Sequence, residues 1–452
     1  MTLGLGLVGF QWAGQLWKRP FTHHLTFLFI LFDPKVLANG RYVTTDLGGT
    51  LFIFLATFLL WRMWKRPSWR TWLLASVGMG LAFGSKLSAL AFVPIWGVMA
   101  ILPLYEENWT QINTDKHRFF SFLSASSVLS GMKNRLAMYL SAGLFSIVVL
   151  WGIFGFEWGR FAFQADWLLG LNLVSGPMPT FWRGIEKILF WSSSGRMAFL
   201  FGDFSFEGFI QYFPITFAVK TPVVTLIGLV LAIGLLLWRR ETRQRVLFVL
   251  LVPLLYFATS MMSNLNIGYR HLLPTLPFVY LILAGLVAWG RDAKQRRIMM
   301  MGVSGAFVAL LLTTVWIHPH YLSYFNQAAG GPENGYQVLL DSNVDWGQDL
   351  LRLQDWMADE GVERVKLGWF GSAIPDYYDI LYDPMPGSPL PAFYSQWTVP
   401  PFNVSEPEPG VYAISVSNLM ELPLPHSTVY SWFRQQEPDA RIGYSILIYR
   451  VE

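Results

Sequence analysis

The sequence predicts an α-helical polytopic membrane domain followed by a small α/β extracytoplasmic domain, and three observations carry that expectation. Hydrophobic residues make up 53% of the 452-residue chain and charged residues only 14%, well below the roughly 25% charged content of soluble domains. Long apolar runs alternate with short basic connections through the first two thirds of the chain, the pattern of a chain that crosses a bilayer repeatedly. After residue 317 the composition turns polar, with Pro, Gly and Asp, and the apolar runs shorten. The expected domains are therefore a multi-span part over 1–317 and a soluble part over 318–452.

Aromatic residues reach 17%, including 21 Trp, which suits side chains that straddle the boundary of lipid and water. The net charge of +4 comes from basic clusters between apolar runs, so it speaks for membrane orientation and against nucleic acid. The chain has no cysteine, which excludes disulfides and thiolate metal sites and leaves the compartment open.

In chain order, LGLGLVGFQWAGQLWKRP ends on its basic residues. That is the reverse of a cleaved signal, and the stretch reads as the tail of a span. HLTFLFILF is short against the ~20 residues a hydrocarbon core needs. The polar stretch FDPKVLANGRYVTTD, 32–46, then forms a turn at a membrane edge, with Asp33-Pro34 and Asn39-Gly40 as turn signals. The apolar run 47–61 leads to Arg62, Lys65, Arg66 and Arg70, a connection expected in the cytoplasm. TWLLASVGMGLAFG and LSALAFVPIWGVMAILPL flank Ser85-Lys86, which puts Lys86 on the same membrane face as Asp46. A connection with Lys116, Arg118, Lys133 and Arg135 returns to the cytoplasm, and 136–156 crosses outward.

The segment 157–220 is rich in Trp, Phe and Gly and has no uninterrupted run able to span, so half-buried interfacial helices are expected there. Three further connections follow: RRETRQR and GRDAKQRR on the basic side, and SNLNIGYRH on the other, joined by apolar runs that end at IMMMGVSGAFVALLLTTVWI. Basic loops thus fall on one face and the turns with Asp46, Lys86, Lys220 and Arg270-His271 on the other. In the polar region YQVLLD, RVKLGWF, GVYAISVS and ARIGYSILIYRV read as strands and GQDLLRLQDWMADEG and STVYSWFRQQ as helices, an alternation that predicts a small α/β sandwich outside the cytoplasm.

Asp46 opens a span, where an acid serves equally as a cap on free N–H groups or as a chemical group facing water. Arg41 in the same turn is its nearest candidate partner. Lys86 between apolar runs has to reach the interface or an anion. Arg270 offers a rigid fork for phosphate oxygens, His271 adds a donor or a proton, and Lys220 in AVKTP is placed equivalently. Together these cations suggest a site for an anionic headgroup.

The stretch 318–349 is the densest polar run. Asp345 with Gln348 has the spacing of a capping box for the helix that follows. His318 and His320 lack a third metal ligand, and Asp46 alone makes no metal site, so a divalent metal is left open. P-loop, HExxH and nucleophile-elbow motifs are absent.

These residues, FDPKVLANGRYVTTD, GLAFGSKLSAL, FPITFAVKTP, NIGYRHLLPTLP and above all YLSYFNQAAGGPENGYQVLLDSNVDWGQDL, resemble bacterial polytopic glycosyltransferases of the GT-C type. Within that group the chain is similar to the relatives of protein O-mannosyltransferases, glycosyltransferase family 39. The resemblance implies transfer of a sugar from a polyprenyl-phosphate carrier to a protein, lipid or glycan acceptor, on the outer face of a bacterial plasma membrane. It implies an acid role for Asp46 and carrier-phosphate contacts from Lys86 and Arg270. It adds Tyr321, Asn326, Asp341, Asn343, Asp345, Trp346 and Gln348 of the junction as candidate site residues. It further implies an earlier span and a first external loop whose acidic motif supplies the catalytic base, expected before Met1, so that the start is set too late, the chain is a fragment, or its activity is impaired. The competing expectations are a transporter or flippase of a lipid-linked anion, which calls for ionisable groups at mid-membrane and repeated halves, and a non-catalytic membrane scaffold.

Overall fold

The computed structural model describes residues 1–19, 21–42, 44–102, 125–390, 393–397 and 400–452, so the connection expected around Lys116 and Arg118 lies outside it. The described residues form two compact units, one of Met1–Ser194, Val224–Met262 and Leu272–Val315, the other of Gly195–Val223, Ser263–His271 and Trp316–Glu452.

The first helices are α1 (Thr2–Trp17), α2 (Thr22–Leu31), α3 (Pro34–Arg41), α4 (Asp46–Lys65), α5 (Trp69–Ser85), α6 (Phe92–Ile101), α7 (Ala125–Ile153) and α8 (Pro179–Ser194). They are followed by α9 (Tyr212–Lys220), α10 (Val223–Trp238), α11 (Arg240–Met261), α12 (Leu276–Gly285) and α13 (Ala293–Trp316). Among the described residues, five helical segments are long and apolar enough to cross a membrane: α4, Gly131–Ile153, α11, Tyr269–Trp289 and α13. The pair α9 and α10, bent by 111° at its break, brings the number to six if it counts as one span. The chain is an α-helical, multi-pass membrane type with a small sheet-containing C-terminal part.

In the first unit α1 packs on α2, α4 and α12. Gly9 leaves room for Ile30 and Thr26 of α2 where a Cβ would collide, and Trp12 lies between Phe54 and Phe278 at ring distances of 5.0 and 5.8 Å. Several polar atoms inside the apolar bundle find carbonyls: Trp17 Nε1 donates to Leu281 O at 2.8 Å, and the hydroxyls of Thr26, Thr50 and Thr57 donate one turn back along their own helices. Within the stretch 32–46, expected as a turn, Pro34–Arg41 is instead a helix. Asp33 is its N-cap, accepting from Lys35 N–H at 2.7 Å and Val36 N–H at 3.2 Å, with Pro34 in the first turn.

The segment 157–194 is only partly helical. Strands β1 (Trp158–Arg160) and β2 (Ser175–Pro177) pair antiparallel, and α8 follows as an amphipathic helix with Phe181 buried and Trp182, Leu189, Phe190 and Trp191 exposed.

The second unit begins with a hairpin of β3 (Ala198–Leu200) and β4 (Asp203–Ser205) and takes in α9. Its C-terminal part holds α14 (Leu350–Asp359), β5 (Val365–Gly368), β6 (Tyr382–Pro384), the short pair β7 (Pro389–Leu390) and β8 (Phe393–Trp397), β9 (Gly410–Ser415), α15 (Val416–Leu419), α16 (Ser431–Arg434), β10 (Ala440–Ile442) and β11 (Ile446–Val451). Five strands form one mixed sheet in the order β10-β11-β9-β5-β6. β5 runs parallel to both its neighbours, with Leu367 opposite Ala413 and Pro384, and β11 runs antiparallel to β9 with Tyr449 opposite Tyr412.

Strand alternation sorts the two faces. Leu367, Ala413 and Ile448 meet Leu350, Leu353 and Met357 of α14, while Tyr412 and Tyr449 meet Phe433 of α16 at 4.8 and 5.2 Å. YQVLLD, expected as a strand, is made of turns, since Gly335–Gln337 and Asp341–Asn343 are short 3-10 segments. STVYSWFRQQ shortens to the single turn α16.

The end of α9 is held by Asn326. Its side-chain amide donates to Ala218 O at 2.6 Å and Thr221 O at 2.8 Å, and its carbonyl oxygen accepts from Ala328 N–H at 3.0 Å. Asn326→Ala is expected to cost roughly 1–3 kcal/mol for each carbonyl left unsatisfied and to lower the thermal midpoint of the detergent-solubilised chain. Asn326→Asp, which keeps the acceptor and loses the amide donor, should fare no better. Midpoints equal to the parent in both variants would remove Asn326 from this role.

Candidate active site

In the first unit the structure brings Asp46 and Lys86 together. Lys86 Nζ donates to Asp46 Oδ1 at 2.5 Å, with side chains 15% and 6% exposed respectively. The local sequence explains the meeting. Asp46 is the first residue of α4, behind Thr45 as N-cap, and no side-chain capping bond forms there; Asp46 faces a cation. Lys86 ends α5 in an extended conformation, before the 3-10 turn Leu87–Ala91, and this break turns its side chain across α4. Gly49 admits it: a Cβ there would stand 3.0 Å from Lys86 Cβ and 3.1 Å from Cδ. Arg41 lies exposed at the end of α3.

A second buried group in this unit had no expected role. Asp33 is fully buried, and its Oδ2 accepts from the Tyr280 hydroxyl at 2.5 Å and lies 3.5 Å from Lys35 Nζ. Burial draws the Lys35 ammonium below its usual pKa range, and the Asp33 carboxylate draws it back up. The Thr314 hydroxyl donates to Phe32 O at 2.6 Å, so α3 is anchored at its start to α12 and α13. The Asp-Pro signal was visible in sequence; Tyr280, far along the chain, gave none.

In the second unit Lys220 is 2% exposed. Its ammonium donates to Leu322 O at 2.7 Å and Asn343 O at 2.6 Å and lies 4.1 Å from the Phe325 ring centre. Asn343, fully buried, accepts from Tyr269 N–H at 3.0 Å and donates to the Tyr212 hydroxyl at 2.9 Å and Leu340 O at 3.0 Å. Asp341 stands in the left-handed region at φ 57°, a conformation Asp tolerates better than most residues, and accepts from Ser342 N–H at 2.5 Å. The Arg270 guanidinium carbon lies 5.1 Å from the Trp346 ring centre. His271 meets Phe213 edge-on at 6.4 Å, and Tyr321 shares a 2.9 Å hydrogen bond with His318.

The capping box expected of Asp345 and Gln348 does not form. α14 starts at Leu350, and its N-cap is Asp349, without a side-chain capping bond. Asp345 instead accepts from Gly347 N–H at 2.8 Å and from the Ser415 hydroxyl, and Gln348 spans Trp346 N–H and Val344 O at 2.7 and 2.9 Å. Asp349, also buried, accepts from Arg352 at 2.6 Å and Ser445 at 2.8 Å. The junction motif is thus a scaffold of buried polar side chains tied to backbone and hydroxyls. Among the described residues no three His, Asp or Glu side chains gather as metal ligands.

Apolar helices with a buried acid–lysine pair at one end define the protein as an integral membrane protein with an ionisable site. Residues 1–168, which include Asp46 and Lys86, match the family model for dolichyl-phosphate-mannose-protein mannosyltransferase, PMT. The chain is also similar to a solved structure, the crystal structure of ArnT from Cupriavidus metallidurans in the apo state, at 15% identity and a TM-score of 0.41, covering 98% of this chain and 81% of that one. No curated protein sequence matches the chain.

Burial pushes the Asp345 carboxyl up to about 7; the Ser415 hydroxyl and Gly347 N–H oppose the rise, and Asp349 and Asp341 add to it. The folded chain therefore keeps a proton there that the unfolded chain releases near pH 4. Its contribution to stability is complete below about pH 4 and is lost as the pH rises to about 7. Asp345→Asn, which can accept from Gly347 and donate to Ser415, is expected to flatten that part of the stability profile and to exceed the parent at pH 8. Denaturation midpoints from pH 4 to 8 check this, and a profile unchanged by the substitution would refute it.

Proposed function

We propose that the chain is a membrane glycosyltransferase that moves a sugar from a polyprenyl-phosphate carrier to a hydroxyl acceptor on the extracytoplasmic side. The observation that carries the reading is the Asp46–Lys86 pair at 2.5 Å, which lies within the residues matched by the mannosyltransferase family model.

The pair suits the chemistry. An incoming carrier phosphate competes with Asp46 for the Lys86 ammonium. Once Lys86 is on the phosphate, Asp46 is a carboxylate without its cation, a base beside the acceptor. The acceptor oxygen then bonds to the anomeric carbon as the bond from that carbon to the phosphate oxygen breaks. The electron pair leaves on polyprenyl phosphate, where Lys86 stabilises it, and the acceptor proton passes to Asp46. Inversion at the anomeric carbon follows from such a single displacement.

Lys220 is left out of the proposed phosphate contacts, because two backbone carbonyls already hold its ammonium.

Asp46→Asn is expected to retain binding of undecaprenyl phosphate and to lower sugar transfer from undecaprenyl-phosphate hexoses by two to four orders of magnitude. Lys86→Gln should weaken undecaprenyl phosphate binding about tenfold or more. Full transfer by Asp46→Asn, or unchanged carrier binding by Lys86→Gln, would sink the assigned role.

Orientation is tested separately, since the parent has no cysteine. Cysteines at the exposed positions Ser68 and Glu241 should be shielded from an impermeant thiol reagent in intact cells. One at Ser405, also exposed, should be labelled. The reverse pattern would place the site in the cytoplasm.

A further inference from the structure

We propose that the outer face of α8 is a docking face for anionic phospholipid, with its apolar side chains among acyl chains and Arg183 and Lys187 on headgroup phosphates. The inference does not depend on the glycosyltransferase reading.

The helix has two unlike sides. Phe181 is buried and Ile185 packs against the core, and Gly184 lies against Leu87, where a Cβ would come within 3.0 Å. The other side leaves Leu189, Phe190 and Trp191 exposed by 57, 64 and 52%, a large apolar area to leave in water.

Two further observations name the occupant as lipid. The first is continuity with a span. α7 contains the candidate span Gly131–Ile153, only 22% buried, whose apolar side chains need lipid around them. α8 docks at the end of that span: Phe154 meets Phe181 at 5.7 Å, and Trp151 Nε1 donates to Glu157 O at 2.8 Å just beyond it. The apolar face of α8 therefore sits at the level where lipid meets water.

The second is the sorting of charge. The segment around α8 has two glutamates, and both are turned onto protein groups. Glu186 accepts from Gln164 N–H at 2.7 Å and Ala165 N–H at 2.6 Å, and Glu157 accepts from the Thr180 hydroxyl at 2.7 Å. Arg183 and Lys187 are exposed and stand one turn apart in a row with Trp191, whose ring centre is 4.7 Å from the Lys187 ammonium. Asp166 of the preceding turn is exposed, but on α8 itself the carboxylate is engaged by backbone N–H groups and the cations are exposed beside an aromatic ring, a surface complementary to anionic headgroups.

The test uses the full chain in lipid nanodiscs, with one cysteine at Phe190 carrying a nitroxide. The label should be readily reached by oxygen and shielded from a water-soluble nickel chelate, while a control label at the exposed Glu363 should show the opposite. A label open to the nickel chelate would put α8 in water, and one shielded from both would mean that another protein surface covers it. Either result overturns the proposal. In discs of mixed phosphatidylcholine and phosphatidylglycerol, spin-labelled phosphatidylglycerol should be enriched around the parent. Arg183→Gln with Lys187→Gln should lower that enrichment by about fivefold for each charge removed. No enrichment in the parent, or no loss in the double variant, would overturn the anionic part of the proposal.

Discussion

A helix that stops away from water leaves its last carbonyls without donors, and the protein has to provide them. The second unit is organised around this need at the end of α9. The Asn326 amide reaches the Ala218 and Thr221 carbonyls. Lys220, the last residue of the helix, reaches two carbonyls of the polar junction, those of Leu322 and Asn343. Asn343 then takes the Tyr269 N–H and gives to the Tyr212 hydroxyl. Four separated stretches of sequence are joined through polar side chains with their hydrogen-bonding groups in use. Such a network is costly to break because each lost member strands a buried partner. The need accounts for the burial of Asn326 and Asn343 within the densest polar run of the chain.

Periodic and compositional signals were legible and long-range polar pairings were not. The apolar runs that became α4, α11 and α13 are visible as hydropathy, and β5, β9 and β11 are visible as short apolar runs bounded by turns. YQVLLD misled for a physical reason. It has the apolar residues of a strand, but Val338, Leu339 and Leu340 are buried inside a series of 3-10 turns, so burial without a ladder produced the same pattern. Asp345 and Gln348 misled differently. Their spacing fits a capping box, yet Ser415, 70 residues on, supplies a competing partner for Asp345, and no local rule weighs a distant hydroxyl against a near N–H. The turn signal at Asp33-Pro34 was real but underread, since the same two residues also begin a helix.

The ionisable residues of the proposed site were legible one by one, and their pairing was not. Asp46 and Lys86 were each marked by an ionisable side chain beside an apolar run, which is expensive unless it has a partner. That they are each other's partner depends on the break after α5 and on the missing side chain of Gly49. The capping reading of Asp46 was equally plausible from position, and the geometry differs from it: the carboxylate is turned to a lysine, the pairing from which the proposed role starts.

Lys86 and Lys220 look alike in sequence, each ending a helix beside an apolar run, and the structure gives them different capacities. Lys220 is 2% exposed and tied to two backbone carbonyls. Carbonyls are fixed in place by the fold, so an incoming anion would have to leave both unsatisfied to claim the ammonium, at a cost of about 1–3 kcal/mol each. Lys86 is 15% exposed in its side chain and bonded to a single carboxylate. In the proposed reaction a phosphate oxygen would replace a carboxylate oxygen with the same sign of charge and a similar hydrogen bond, so that exchange at Lys86 would strand no fixed backbone group. The partner's chemistry, rather than the lysine's position along the chain, makes one cation a fixed tie and the other an exchangeable one.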